Sequence, residues 1–354
     1  MDLEDWRARI SALDRQLLDL LNERARAAIE IGRAKAALGL PYYIPEREKE
    51  ILDRLQQENP GPFPNEAVRA VWREIFSASL ALEQPLRVAY LGPLTTFSHQ
   101  AALLRFGSSA ALLPCRGIPE VFIEVERDRA DYGLVPVENS TEGPVNHTLD
   151  RLIESDVFIS GEVLLEIHHH LISRSPDLSE IKVVYSHPQA LAQCRQWVDE
   201  HLPDVTPVEL SSTAAAVERA EAESTAAAIA SELAARLHGL PIVRSRIEDS
   251  SSNITRFLVI SKRPAAATGR DKTSLLFSIR DEVGALYRIL EPFALNALNL
   301  TKIESRPTKR RPWEYVFFVD FEGHKDEPTV QKVLEELRIR CLFFKVLGSY
   351  PQAA

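Results

Sequence analysis

The sequence predicts a multidomain protein with an all-helical N-terminal domain, a two-lobed α/β domain and a C-terminal α+β domain. Three patterns indicate this fold class. Apolar residues recur at spacings of three and four over residues 3 to 38, as on one face of a helix. Strand and helix patterns then alternate, and a ferredoxin-like βαββαβ pattern closes the chain. We therefore expect domains at residues 1–85, 86–262 and 272–351.

Composition narrows the class of protein. The chain has 354 residues, enough for two or three domains, and a net charge of −9, which argues against a nucleic-acid partner. Cys115, Cys194 and Cys341 are far apart and in no metal-ligand spacing, which predicts reduced thiols in a cytoplasmic protein. No apolar run approaches about 18 residues, and the acidic N-terminus does not resemble a signal peptide, so no membrane association is expected.

The first predicted helix covers residues 3 to 38, about 50 Å, because no proline interrupts it before Gly39 and Pro41. Pro45 begins a second predicted helix to residue 58, and a third runs from Asn65 to Glu83. Two short helices cannot cover so long an apolar face. This predicts a helical dimer in which each chain covers the other.

Polar residues on these helices form a candidate site. They are, in chain order, Arg7, Arg24, Lys35, Arg47, Glu48, Ser79 and Glu83. Arg24 and Lys35 lie about 20° apart on a helical wheel and share a face, whereas Arg7 lies roughly 100° away. Two interpretations remain open, a solvated charged face or a cationic pocket for a small dicarboxylate.

The middle region is predicted to form a mostly parallel sheet with helices on both faces, in two lobes with a cleft between them. A strand and turn are predicted at Leu86–Pro93, and further strands at Tyr132–Glu138, Val163–Ser173, Val183–Ser186, Thr206–Leu210 and Thr255–Ser261. The predicted helices are Phe97–Phe106, Ile118–Arg127, Pro144–Glu154, Pro188–His201, Thr213–Ala220 and Ser231–Leu237.

Polar clusters stand at three strand ends of this region. They are Ser251–Phe257, Val135–Pro144, which includes Glu138 and Asn139, and Ser186–Gln189 with Gln193 one turn on. Such clusters favour carboxylates at helix N-termini, although ordinary helix capping gives the same pattern. His168, His169 and His170 are interpreted as strand residues, because adjacent strand residues point to alternate faces and cannot converge on one metal ion.

The C-terminal region follows a linker at residues 262–270. Its predicted elements are strand Thr273–Arg280, helix Gly284–Ala297, strand Leu300–Arg306, strand Trp313–Glu322, helix Glu327–Leu337 and strand Leu342–Tyr350. Many unrelated functions share this topology, so it does not predict one by itself.

The motifs together resemble the bifunctional bacterial chorismate mutase–prephenate dehydratase family over nearly the whole chain. The segments that carry the resemblance are Val137–Ser140, Ser186–Gln189, Thr255–Phe257 and Ile303–Pro307. The resemblance implies an all-helical mutase dimer, a dehydratase domain like the two-lobed periplasmic binding proteins, and a regulatory ACT domain. It implies no cofactor and no metal.

For the mutase, the resemblance places substrate contacts at the seven polar residues above, with Lys35 and Glu83 at the ether oxygen of chorismate and Arg7 acting from the partner chain. Two positions depart from the family pattern. Ile44 replaces a frequent acidic residue, and Glu83 replaces a frequent glutamine and can donate a hydrogen bond only when protonated.

For the dehydratase, the resemblance makes Thr255 the acid at the departing hydroxyl, with Glu138, Asn139, Ser186 and Gln193 positioning prephenate and Arg256 nearby. Thr95 stands where relatives often have glycine. In the ACT domain the resemblance implies an L-phenylalanine site between paired domains. Its residues are Gly284, Ala285, Leu286, Asn299, Glu304 and Ser305.

Three functions remain in competition. The first is the bifunctional enzyme, with chorismate and prephenate as substrates, L-phenylalanine as effector, and a homodimer or tetramer as the assembly. The second is a prephenate dehydratase whose helical domain is only a weak mutase or a regulatory dimeriser, which Ile44 and Glu83 favour. The third is a solute-binding or amino-acid-sensing protein that performs no chemistry.

Overall fold

The computed structural model describes residues 2–40, 42–250, 252–307 and 315–353. The predicted helix end at Pro41, the polar Ser251 and the predicted strand start at Trp313 lie outside the described residues. The chain divides into two compact units. One runs up to Arg87 and includes Leu103–Ala111, and the other comprises Val88–Ala102 and the chain from Leu112 onward.

The elements are numbered in chain order. The helices are α1 Leu3–Leu38, α2 Pro45–Glu58, α3 Asn65–Glu83, α4 Phe97–Phe106, α5 Ile118–Glu126, α6 Asn146–Glu154, α7 Pro188–Gln193, α8 Arg195–His201, α9 Thr213–Ala222, α10 Glu232–His238, α11 Ala285–Leu295 and α12 Pro328–Arg340. The strands are β1 Arg87–Leu91, β2 Ala111–Cys115, β3 Tyr132–Asn139, β4 Gly143–Pro144, β5 Phe158–Glu166, β6 His170–Ser173, β7 Val183–Ser186, β8 Thr206–Glu209, β9 Ala226–Ala230, β10 Ile242–Arg244, β11 Ile254–Ser261, β12 Asp271–Ser278, β13 Leu300–Pro307, β14 Tyr315–Glu322 and β15 Phe343–Pro351.

The helical unit confirms the three predicted helices. A capping box between Asp2 and Asp5 starts α1, and Gly39 ends it in the left-handed conformation at φ 64°. Much of the apolar face of α1 is exposed in the single chain, namely at Leu3, Trp6, Ile10, Leu13, Leu17, Leu20 and Leu21. No helix of the described residues is long and apolar enough to cross a membrane.

The α/β region contains two sheets, one for each predicted lobe. The first has the strand order β2-β1-β3-β11-β5 with β4 beside β3, and the second has the order β10-β6-β9-β7-β8. The prediction of mostly parallel sheets is wrong. Strand β11 runs antiparallel to both of its neighbours, and β6 runs antiparallel to β9 and β10. After the second sheet, the chain returns to the first sheet through β11. This strand lies between β3 and β5, so β3 and β11 are both interior strands of the first sheet.

Several predicted elements are corrected in this region. The single strand predicted over Val163–Ser173 is two strands, β5 and β6, which belong to different sheets. The helix predicted over Pro188–His201 breaks at Cys194 into α7 and α8. Strands β2, β4, β9 and β10 were not predicted, and Pro144, predicted to begin a helix, lies in β4.

The C-terminal region forms the predicted ferredoxin-like module, with strand order β13-β14-β12-β15. One face of its sheet packs on α11 and α12 through Leu275 and Phe277. The other face shares a core with the first α/β sheet, where Leu276 and Phe318 meet residues such as Ile159. The backbones approach closely at Gly348, because a Cβ there would lie 2.1 Å from the Ile159 carbonyl oxygen. This packing brings the module directly under the central strands.

Candidate active sites

In the helical unit, Arg24 of α1 faces α3. Its Nη1 donates a hydrogen bond to Ser79 Oγ at 2.6 Å, and its guanidinium lies over the Phe76 ring at 5.2 Å. Burial lowers the pKa of Arg24, while Glu48 and Glu83 oppose the shift. These contacts hold the guanidinium in one place without neutralising it.

Lys35 shares the face of Arg24, as the helical wheel predicts. Its Nζ donates to the Tyr42 carbonyl oxygen at 2.6 Å and lies 3.4 Å from Glu83 Oε2. Gly32 makes room for this pair, because a Cβ at that position would lie 2.8 Å from Glu83 Cγ. The amine and the carboxyl group that the resemblance assigns to the ether oxygen are therefore neighbours.

Glu48 is the half-buried carboxylate of this site. Burial raises its pKa, and the opposing influences are Arg105, a hydrogen bond with Tyr43, Arg24 and Lys35. Sequence analysis missed Arg105 because it lies beyond the boundary predicted at residue 85. The structure groups it with the helical unit, where it adds a cation beside Glu48.

Two predicted residues are placed elsewhere in the single chain. Arg47 is exposed and pairs with Glu50 at 2.8 Å along α2. Arg7 is exposed and precedes Arg24 by 17 positions on the same helix, roughly 25 Å along its axis. Neither side chain joins Arg24 and Lys35 within one protomer, so the site as described is incomplete at these two positions.

The α/β region holds a cleft of about 400 Å³, a size suited to a small ligand. Its polar lining comprises Thr96, Ser98, Asn139, Glu142, His169, His187, Gln189, Gln193, Ser211, Ser212, Thr213, Asn253 and Thr255. The described lining includes no lysine or arginine. It does include the first residues of α4 and α9, whose free N–H groups favour anions.

Thr255 lies in the cleft at the start of β11. Its Oγ1 accepts a hydrogen bond from Asn139 Nδ2 at 2.9 Å, so its own hydrogen is available for donation into the cleft. Asn139 is buried and rigidly held, since its Oδ1 accepts from Thr141 and from the Glu142 backbone N–H, the latter at 3.1 Å. The two neighbouring strands thus fix the predicted acid from one side.

A chain of amides extends from Asn139 across the cleft. Asn139 Nδ2 also donates to Asn253 Oδ1 at 2.7 Å, and Asn253 Nδ2 donates to Gln193 Oε1 at 3.0 Å. Gln193 Nε2 in turn donates to Glu142 Oε1 at 2.9 Å. The predicted residues Asn139, Gln193 and Thr255 are therefore brought together, and Asn253 and Glu142 join them.

His169 is the cleft residue that sequence analysis interpreted wrongly. His168 and His169 are not strand residues, because they lie in the connection between β5 and β6. The Nε2 of His169 lies 2.8 Å from Gln193 Oε1, which makes Nε2 the protonated nitrogen, and burial lowers the pKa of the ring. Among the described residues, no group of three or more His, Cys, Asp or Glu side chains could hold a metal ion.

Three other predicted residues point away from the cleft. Ser186 is fully buried and its hydroxyl donates to the Ile229 carbonyl oxygen at 2.6 Å. Glu138 pairs with Lys302 at 2.7 Å, and Arg256 pairs with Asp320 at 2.6 Å. Adjacent strand residues face opposite sides of a sheet, so the neighbours of Asn139 and Thr255 cannot line the same cleft.

Thr95, next to the cleft residue Thr96, has a backbone conformation that glycine adopts more readily. Its φ of 68° lies in the left-handed region that disfavours a β-branched residue. The backbone N–H donates to His99 Nδ1 at 3.1 Å, and the hydroxyl donates to the Leu94 carbonyl oxygen. These local bonds hold the turn that leads into α4.

In the C-terminal module the predicted effector residues lie at the start of α11, just before β13, and on β13. Gly284, at φ 77°, precedes α11, which begins with Ala285 and Leu286. Asn299 directly precedes the edge strand β13, which carries Glu304 and the exposed Ser305. Exposed apolar side chains lie near them in the sequence, namely Val283, Tyr287, Leu295 and Ile303.

Comparison with known proteins finds three family models along the chain. The family model for chorismate mutase type II matches residues 6–84, that for prephenate dehydratase matches 88–265, and that for the ACT domain matches 273–339. A bifunctional chorismate mutase/prephenate dehydratase of Aquifex aeolicus is 52% identical over 99% of this chain and 98% of its own length. One from Stutzerimonas stutzeri is 48% identical over the same shares. The solved structure of an Arthrobacter aurescens prephenate dehydratase in complex with L-Phe is 36% identical, with a TM-score of 0.69, and the match covers 75% of this chain and 90% of that one.

Proposed function

This chain belongs to the bifunctional chorismate mutase/prephenate dehydratase family, and we propose that the two sites described above carry out the two reactions. Chorismate rearranges to prephenate in the helical unit. Prephenate then loses water and CO₂ to give phenylpyruvate, the precursor of phenylalanine, in the cleft. The observation that carries the dehydratase assignment is the Thr255 hydroxyl, held by Asn139 and free to donate into the cleft.

The dehydratase step needs one proton and no other reagent from the protein. The bond from the ring to the carboxylate breaks, its electrons become part of the aromatic ring, and the bond to the hydroxyl breaks. The departing oxygen takes a proton from Thr255 and leaves as water, after which solvent restores the threonine proton. Aromatisation supplies the driving force, so a positioned hydroxyl serves although its acidity is low.

Recognition of prephenate in this cleft rests on dipoles and hydroxyls. Ser98 near the start of α4, and Ser212 with Thr213 at the start of α9, lie in the lining. Free N–H groups and the positive end of each helix dipole suit the two carboxylates of the substrate. Gln193 and Asn253 then orient the remaining polar atoms.

The mutase step forms no bond to the protein. Arg24 clamps a carboxylate and holds chorismate in its compact conformer, while Lys35 donates to the ether oxygen as charge develops there, with Glu83 beside it. Glu48, beside Arg24 and Lys35, accepts from the substrate hydroxyl. The distance of 3.4 Å between Lys35 Nζ and Glu83 Oε2 supports a position for both groups at the same part of the substrate.

A dimer completes the mutase site in this proposal. The exposed apolar residues of α1 supply a face for the second chain. Arg7, about 25 Å from Arg24 along the helix, then reaches the partner's pocket. Light scattering of the purified chain measures the assembly, and the same measurement distinguishes a dimer from a tetramer.

We assign L-phenylalanine to the edge of the ACT domain formed by Gly284–Leu286, Asn299, Glu304 and Ser305. The L-Phe complex of the Arthrobacter relative supports this class of ligand, and the exposed apolar side chains support pairing of two such edges. Bound amino acid inhibits the dehydratase by favouring a less active state. Because Ser305 is exposed on the edge strand, Ser305→Leu should fill the ligand's space and relieve inhibition.

A pair of assays on the full chain tests the proposal. Chorismate consumption and phenylpyruvate formation from prephenate are measured separately, with and without L-phenylalanine. We expect both activities, with inhibition of the second by L-phenylalanine. Absence of phenylpyruvate would contradict the dehydratase assignment, and absence of chorismate turnover would leave the helical unit a dimeriser.

A further inference from the structure

The two central strands of the first sheet carry different functions on their two faces. In the β3–β11 pair, Thr255 lies opposite Asn139 and Arg256 lies opposite Glu138. Thr255 and Asn139 face the cleft. Because side chains alternate along a strand, Arg256 and Glu138 face the ACT sheet on the other side. The residues that hold the acid and the residues that meet the ACT domain are therefore chain neighbours.

Arg256 is bound by a closed ring of side chains from the ACT sheet. Its Nη1 donates to Asp320 Oδ2 at 2.6 Å, and its Nη2 donates to Tyr350 Oη at 2.9 Å. Tyr350 and Ser274 hydroxyls lie 2.7 Å apart, and Ser274 Oγ donates to Asp320 Oδ1 at 2.5 Å. Since Ser274 donates to Asp320, Tyr350 is the donor to Ser274, and the ring returns to Arg256.

The third nitrogen of the Arg256 guanidinium, Nε, binds a residue of the dehydratase sheet. Its Nε donates to Glu162 Oε2 on β5 at 2.8 Å, and Lys272 of β12 binds the same carboxylate at 2.9 Å. The Arg256 side chain is 12% exposed and that of Glu162 is 2% exposed. Burial alone would lower the pKa of Arg256, but Tyr350, Asp320 and Glu162 outweigh it and raise the pKa. A buried guanidinium with three oriented acceptors has one position.

A second ion pair ties the neighbouring strand in the same way. Lys302 of β13 lies 2.7 Å from Glu138 Oε2, and Lys302 is largely buried. The odd-numbered neighbours of Lys302 on β13 point to the other face of the ACT sheet, where the proposed effector edge includes Ser305. One edge strand thus meets the proposed ligand on one face and the catalytic strand pair on the other.

We propose that Arg256 is a positioning residue of the dehydratase site, and that its ring with Asp320, Tyr350 and Ser274 makes the position of Thr255 follow that of the ACT sheet. Glu138 and Lys302 do the same for Asn139. The amino-acid effector then acts by moving the ACT strands, which changes the reach of the Thr255 hydroxyl without touching the cleft. This inference rests on the proposed function, of which it specifies the regulatory route.

The test compares Asp320→Asn with wild type in the full chain. The amide keeps the shape of Asp320 and removes the charge that binds Arg256. We measure L-phenylalanine binding by calorimetry and the ratio of uninhibited to inhibited dehydratase rate at saturating L-phenylalanine. We expect binding to persist and the ratio to fall by at least about fivefold, the lower range of typical allosteric coupling.

Two further variants control for a general loss of structure. Tyr350→Phe removes only the hydroxyl from the ring and should lower the ratio less, in the same direction. Asp150→Asn weakens another pair between the same domains, Arg306 with Asp150 of α6 at 2.9 Å, which includes no residue of β3 or β11, and should leave the ratio unchanged. L-phenylalanine binding and a measurable uninhibited dehydratase rate of each variant report on folding of the compact unit that contains these residues.

Each outcome decides a separate question. If Asp320→Asn and Tyr350→Phe bind L-phenylalanine and are inhibited as strongly as wild type, the ring does not couple the domains and the inference is wrong. An equal loss of inhibition in Asp150→Asn would overturn it too, because general loosening of the interface would then explain the effect. A wild type that binds no L-phenylalanine would instead overturn the proposed regulation.

Discussion

The two proposed sites, in the helical unit and in the dehydratase cleft, bind related dicarboxylates with different polar groups. The helical site contains Arg24 and Lys35, with Arg105 beside Glu48. The cleft lining described above contains amides, hydroxyls and helix N-termini and has no lysine or arginine. A hydrogen bond holds one important side chain in each site, Arg24 through Ser79 and Thr255 through Asn139. The two sites therefore differ in the groups that face the negative charge of the substrate.

The reactions explain the difference. Chorismate keeps both carboxylates through the rearrangement. A cation that binds one of them equally in the ground and transition states therefore only improves binding, and in the proposed mutase site Lys35 stabilises the ether oxygen. Prephenate loses one carboxylate as neutral CO₂. A cation on that group would stabilise the charged ground state more than the transition state and slow the reaction. A cleft of weak, oriented dipoles avoids this penalty.

The largest expected effect separates the two sites completely. Thr255→Val should lower dehydratase kcat by about 10²–10⁴-fold, the usual contribution of a positioned acid, while mutase activity is retained. Thr255→Ser keeps a hydroxyl and should recover much of the rate. Steady-state assays of both reactions on one preparation check this. A folded Thr255→Val enzyme that makes phenylpyruvate at the wild-type rate would exclude Thr255 as the acid.

The reverse separation comes from Arg24. Arg24→Ala should lower mutase activity by about 10²–10³-fold and spare the dehydratase, because a charged clamp on a carboxylate is lost. Arg33→Ala is the matched control, since Arg33 lies on the same helix but pairs with Glu30 in solvent. Arg7→Ala should be as inactive as Arg24→Ala.

Mixing the two variants tests the shared pocket. After unfolding and refolding together, heterodimers contain one pocket without either arginine and one pocket with both. The intact pocket should restore activity to about half per heterodimer, as the two-fold symmetry requires. If verified heterodimers remain as inactive as their parents, Arg7 does not serve the partner's site.

A cation placed in the cleft tests the reason offered for its absence. Gln189→Lys, in the cleft lining, should lower both KM and kcat for prephenate, the latter by roughly tenfold, because the carboxylate is held in its charged ground state. Gln196→Lys on the exposed face of α8 adds the same charge outside the cleft and should change neither value. A Gln189→Lys enzyme with raised kcat would contradict the comparison.

The pH response should also differ between the two regions, because of Glu48. Its pKa is raised from 4.5 in the folded chain, mainly by burial, so the folded form binds the proton more tightly than the unfolded form. Stability of the helical unit should therefore fall as pH rises from about 4.5 through the folded pKa, with the sign that linkage requires. In the Glu48→Gln variant, the rate of heat inactivation of the mutase should depend less on pH across this range. Parallel profiles for wild type and variant would mean that Glu48 does not contribute.

Sequence reasoning predicted the elements with strong periodicity and missed those where tertiary burial decides. Helix α1 was predicted to the residue, since nothing interrupts its apolar face. Strand β9 is Ala-rich, and alanine favours helices, but all its residues are buried in the second sheet. The turn between β5 and β6 carries no glycine or proline, so an apolar run that crosses between lobes was predicted as one strand.

The candidate site was predicted as motifs, and motifs do not specify faces. Thr255 and Arg256 are one motif in sequence but face the cleft and the ACT sheet respectively. Adjacent strand residues point to opposite faces of a sheet, the rule that we applied to the three histidines. The same rule, applied to Thr255 and Arg256, predicts that only one of them faces the cleft. Asn253 was predicted only as a member of the polar cluster Ser251–Phe257, and His169 was interpreted as a strand residue, because their hydrogen bonds to Gln193 arise only in the folded chain.

The smallest expected effect concerns the turn at Thr95, which precedes α4 and the backbone N–H groups at the start of that helix. Thr95 occupies the left-handed region at φ 68°, where any Cβ costs roughly 1–2 kcal/mol relative to glycine. Thr95→Gly and Thr95→Ala both lose the hydroxyl, but only glycine relieves this strain. Glycine also loses more conformational entropy on folding, which offsets part of that gain. Thr95→Gly should therefore be more stable than Thr95→Ala by about 1 kcal/mol. The order should reverse at Thr148 in α6, where alanine exceeds glycine by about 1 kcal/mol. Urea inactivation of the dehydratase measures all four variants. If alanine is better than glycine at both positions, the turn before α4 relaxes on substitution, and Thr95 is not what holds the first residues of that helix at the cleft.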